Sequence, residues 1–71
     1  MTDEQAKQAA TDAVTQARSM YGPGWSRVSQ DARVGAAVRC AITTFSLYAP
    51  DAPASDVAKV FHLISDQVCP A

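Results

Sequence analysis

VGAAVRCAITTFSLY, the stretch from Val34 to Tyr48, carries apolar side chains around most of a helical circumference. At about 100° per residue, Val34, Ala37, Val38, Ala41, Ile42, Phe45, Tyr48 and Ala49 fall on one broad stripe, which reads as the core face. Ala36, Cys40 and Leu47 fall on a second, narrower strip roughly opposite, with Arg39, Thr43 and Ser46 as the polar sector between the two. A helix with two apolar surfaces is expected to sit between neighbours, from its own chain or from a second copy.

The flanking sequence supplies two further helices and the stops between them. Thr2 with Gln5 three residues on forms a capping-box signal, and Asp3 and Glu4 complement the positive end of a helix dipole. Ala6, Ala9, Ala10, Ala13, Val14, Ala17, Met20 and Tyr21 then make one stripe, mostly of alanine. Such a seam lets another helix approach closely, and it leaves Val14, Met20 and Tyr21 to carry most of the burial. Gly22-Pro23-Gly24 ends this helix, glycine supplying a left-handed cap and proline preventing continuation. Trp25 and Val28 precede the N-cap candidate Ser29 and are expected to fold back as an apolar plug, the alternative being that Tyr21, Trp25 and Arg27 form an aromatic and basic recognition surface. Pro50-Asp51-Ala52-Pro53 stops the central helix, and Ser55-Asp56 reads as the cap of the next. The stripe of that helix is Val57, Val60, Phe61, Ile64 and Val68, with Leu63 off the face. Cys69-Pro70-Ala71 reads as a terminating tail.

These signals predict an all-α fold, a small antiparallel three-helix bundle in a single domain spanning residues 1–71, with helices near 3–20, 29–48 and 55–68. The predicted core is Val14, Met20, Trp25, Val34, Val38, Ala41, Ile42, Phe45, Phe61 and Ile64. At 71 residues the chain is near the lower size at which one core suffices without disulfides, metal or oligomerisation. The hydrophobic fraction of 48% overstates that core, because much of it is alanine and the transfer term scales with apolar area.

Charge and chemistry narrow the function classes. The formal net charge of -1 gives no general reason to expect a polyanionic partner. Arg18, Arg27, Arg33 and Arg39 nevertheless make the middle basic and are the candidate phosphate contacts. The first residues lack a basic segment followed by an apolar run, and no stretch is long and apolar enough to span a bilayer, so a cytoplasmic location without membrane contact is expected. Cys40 and Cys69 are too few for a disulfide scaffold, have no CxxC spacing, and lie about 9 Å out of register in an antiparallel pairing, so no intrachain bridge is expected. His62 projects away from its helix's stripe, and one histidine with two distant cysteines has no metal-ligand spacing. No cofactor is expected. Ser55 to Val68 resembles the first half of a helix-turn-helix, but His62 stands at the glycine-like turn and Ile64 where a polar cap belongs. No length remains for a recognition helix.

The reading is therefore a non-enzymatic interaction module, an adaptor, assembly subunit or inhibitor. Its partner is a second copy, forming a homodimer, or another helical protein. Ala36, Cys40, Leu47 and Leu63 are the candidate partner-binding residues, because a three-helix bundle leaves them no obvious neighbour within one chain. The alternative is a nucleic-acid-associated regulator using the four arginines, a weaker reading because they do not share a helical face.

Overall fold

Thr2 and Gln5 close the expected capping box: the Thr2 hydroxyl accepts the Gln5 backbone N–H at 3.2 Å, and the Gln5 side-chain oxygen accepts the Thr2 N–H at 2.9 Å. From that cap, α1 runs Asp3–Tyr21 in this computed structural model, which describes residues 1–69. Gly22 then turns the chain with φ 56°, the only positive φ among the described residues, while its N–H donates to the Arg18 carbonyl. Its ψ of -134° lies outside the left-handed helical region expected of a cap. Where a plain loop is predicted, Gly22–Arg27 instead forms a short 3-10 helix.

Ser29 caps α2, Gln30–Tyr48, by accepting the Ala32 N–H at 3.2 Å. The third helix, α3, runs Ala54–Val68 and differs from expectation at its start. Pro53, not Ser55, is its N-cap, with no side-chain cap bond. The reason is local: the Pro53 carbonyl already accepts the N–H groups of Asp56 and Val57, at 3.0 and 3.2 Å. Ser55 therefore lies inside the first turn, where its hydroxyl cannot act as the cap. Pro70 and Ala71, the end of the predicted tail, lie outside the described residues.

Among the described residues the chain is all-helical, with three α-helices and no strand. Three pairings tie α3 to α1. The N-terminal ammonium meets Asp56, Lys59 meets Asp3, and Gln67 donates to Thr11 at 3.1 Å. Their sequence separations, 55, 56 and 56, are nearly constant, so α1 and α3 run side by side in the same direction.

The buried core is Ala6, Ala10, Ala13 and Ala17 of α1, Ala37 and Ala41 of α2, and Val60 and Ile64 of α3. This corrects the predicted core. Ala41 and Ile64 are buried as expected, whereas Val14, Trp25, Val34, Val38, Phe45 and Phe61 are half-buried around the alanines. Met20 and Ile42 are exposed, at 75% and 48%. Register explains Met20. Gln67 sits beside Thr11, so α3 ends level with the middle of α1 and leaves the last two turns of α1 uncovered on that side. Ile42 lies at the outer edge of its stripe, and Tyr48, in the last turn of α2, is also exposed.

A second correction concerns which helix is central. The element flanked most extensively is α1, which packs on both α2 and α3 more than those two pack on each other. Alanine makes that position possible, because short side chains let two neighbours approach one helix at once. The Cα radius of gyration is 11.7 Å, near the roughly 11 Å of a compact chain of this length. The surface is nonetheless 4788 Å², about an eighth above the ~4,250 Å² that scaling with mass gives.

Candidate interaction surface

Ala36 and Cys40 stand where the outer strip of α2 meets the last turns of α1. Both are half-buried and touch the core cluster, so they are not on an isolated face opposite it, as the helical wheel suggests. They form the floor of an open groove of about 520 Å³, together with Ala32 and Gly35, while Met20 and Tyr21 of α1 supply one wall and Arg39 and Thr43 of α2 the other. The Cys40 thiol lies 3.8 Å from the Met20 sulfur. The groove exists because the residues on this part of α2 are small, and nothing stands within 4 Å of where a Gly35 side chain would begin.

Leu47 continues the same strip one turn beyond Thr43 and is 70% exposed. Ala36, Cys40 and Leu47 thus share one side of α2, as the sequence suggests. Leu63 does not join them: it is half-buried against the core on α3, and its place off the stripe puts it at the edge of the packing. The residues that sequence reasoning missed are Met20 and Tyr21, the α1 wall. Met20 is expected to be buried and Tyr21 is open between burial and recognition; the wall follows from the register of α3 on α1, which no spacing within one helix gives.

The four arginines are dispersed. Arg33 is engaged, its Nε donating to the Trp25 carbonyl at 3.1 Å and its guanidinium lying 5.2 Å from the Trp25 ring centre. Tyr21 meets the same indole with ring centroids 5.9 Å apart. Trp25 is half-buried against the core cluster, whereas Val28, its expected partner in the plug, is not among the residues packed on that cluster. Arg18, in the last turn of α1, Arg27, in the 3-10 helix, and Arg39, on the groove wall, are exposed. No arginine forms an ion pair among the described residues.

Chemically reactive groups stay apart. His62 is exposed in a shallow depression with Ala58, Phe61 and Ser65 on α3, whereas Cys40 lies in the groove between the other two helices. Both cysteines are free thiols. Asp3 is held below the usual carboxylate range, first by the hydrogen bond from Lys59 and then by that ammonium's charge, and this pair lies on the α1–α3 side. Among the described residues no group of three or more His, Cys, Asp or Glu converges as a metal site, and no helix is long and apolar enough to cross a membrane. No family model matches the chain, nor does any curated protein or solved structure.

Proposed function

We propose that this chain is a non-enzymatic helical interaction module that associates with itself, as a homodimer, through the α1–α2 groove and the adjoining strip of α2. The observation that carries this reading is the contrast between core and surface. Among the described residues only Val60 and Ile64 of the fully buried side chains are larger than alanine, while Met20 and Leu47 are 75% and 70% exposed beside the groove. Burying such side chains contributes roughly 1.5–3 kcal/mol each, which is large against the total stability of so small a domain. A second helical protein with a complementary apolar stripe is the other partner of the same chemistry. The protomer in this reading is an up-down-up antiparallel bundle. The parallel course of α1 and α3 supports that order, because two helices running the same way need the intervening one to return.

Light scattering or sedimentation equilibrium across the micromolar range tests the proposal. The expected mass rises toward twice 7.5 kDa with concentration, and a monomer throughout that range overturns self-association.

A second reading, contact with nucleic-acid phosphates, is favoured by Arg18, Arg27 and Arg39, which have no ion partner among the described residues. Three guanidinium groups on three elements form no continuous stripe, so binding is expected to be weak and to fall steeply with salt. Tight, sequence-selective binding to a labelled duplex at physiological salt would reverse the order of the two readings.

A further inference from the structure

We infer that the two copies of the homodimer lie antiparallel about a twofold axis across the bundle, the arginine-bearing end of each beside the acidic end of the other. The inference rests on the self-association proposed above and fixes its direction.

The bundle is divided by charge along its length. Gln67 meets Thr11, so α3 stops level with the middle of α1. Beyond that level lie the second half of α1, the 3-10 helix and the first part of α2, whose Cys40 meets Met20 near the end of α1. This junction end carries Arg18, Arg27, Arg33 and Arg39 against Asp31 alone, three net positive side-chain charges. The opposite end gathers the start of α1, the whole of α3 and the end of α2: the N-terminal ammonium meets Asp56, and Met1 and Ala9 share a small cavity with Tyr48 and Ala49. It carries Asp3, Glu4, Asp12, Asp51, Asp56 and Asp66 against Lys7 and Lys59, four net negative side-chain charges. Folding turns a nearly neutral chain, net charge -1, into a molecule with one basic and one acidic end.

Charge complementarity selects the direction. The four arginines have no ion partner among the described residues, and the acidic end of a second copy is an anionic surface of matching count. A twofold axis across the helices lets both ends of both copies pair at once, whereas copies side by side in the same direction set like charge against like. Packed helices lie about 8–10 Å apart, comparable to the screening length of about 8 Å at physiological salt, so the ends of the two copies act on one another. The sign of the salt effect follows. Screening relieves the weak repulsion between copies of net charge -1, and in a parallel dimer it also relieves the repulsion between like ends, so either makes the dimer tighter as salt rises. Opposed ends make it looser.

The test uses the full chain. Sedimentation equilibrium in sodium chloride at about 10 mM and about 1 M, where the screening length falls from about 30 Å to about 3 Å, is expected to show a dissociation constant weaker by about fivefold or more at high salt. Arg18→Glu with Arg27→Glu, both at exposed positions and checked for helicity by circular dichroism, is expected to weaken the dimer by about tenfold or more at low salt and to match the native chain at high salt. Spin labels on Ser26→Cys, exposed at the junction end, with Cys40→Ala and Cys69→Ala removing the native thiols, are expected near the 34 Å length of the molecule from each other. A parallel pair brings them to about 10–20 Å, one or two helix spacings. A dimer that tightens with salt, that ignores the double charge reversal, or whose labels are close overturns the antiparallel direction and leaves self-association standing. A chain that stays monomeric at both salts overturns both, and its binding of a labelled oligonucleotide in the same buffer would assign the arginines to the second reading.

Discussion

Ala10 has no solvent-exposed surface and sits in a seam whose other members, Ala6, Ala13 and Ala17, are also buried. A larger side chain there has to push a neighbouring helix outward. Ala10→Leu is therefore expected to destabilise by about 1–3 kcal/mol despite its higher hydrophobicity. Ile64→Ala, which empties one of the two largest fully buried positions, is expected to cost about 2–5 kcal/mol. Met20→Ala should stay within about 0.5 kcal/mol in the monomer, because Met20 is largely exposed. Urea unfolding of the three variants checks the order, and a Met20→Ala cost equal to that of Ile64→Ala would contradict this account of the core. Residue type alone points the other way, since methionine outranks alanine for burial area. A helical wheel treats each turn of α1 as equally covered, and only the register with α3 reveals that its last turns are not.

The elements themselves were far more legible, because their boundaries rest on short-range chemistry. Thr2, Gln5, Gly22 and Ser29 act locally, so their effects can be read without knowing what packs on what. Ser55 shows where that logic stops, since the carbonyl of Pro53 opened the helix before the serine could cap it. Ser29→Ala is accordingly expected to cost about 1 kcal/mol and Ser55→Ala a few tenths at most, a difference that thermal melts of the two variants will resolve. The α1–α3 pairing carries a pH signature. With the Asp3 carboxyl held below its usual value of about 3.9, the stability contributed by the Lys59 contact is fully present above that value. It disappears as pH falls through the lowered one. The pair is exposed, so the effect is small and screened by salt. The gap in melting temperature between the native chain and Asp3→Asn should be open at neutral pH and close in strong acid. A gap unchanged by acid would remove the ion pair as its cause.

For the molecule as a whole, the outer strip of α2 could be found in the sequence, yet the groove could not. Ala36, Cys40 and Leu47 are marked by their spacing on one helix, whereas the Met20 wall depends on where α1 lies. The flanked position of α1 has a further consequence, for temperature. The heat-capacity change on unfolding grows with the apolar area newly exposed to water, and typical proteins show about 12–15 cal/mol/K per residue. Alanines bring little such area, so calorimetry on dilute protein is expected to give a total below ~0.9 kcal/mol/K, the lower end of that range for this chain length. A smaller heat-capacity change flattens the curve of stability against temperature. The alanine seam that lets three helices close around so little side chain should leave the fold unusually indifferent to cold.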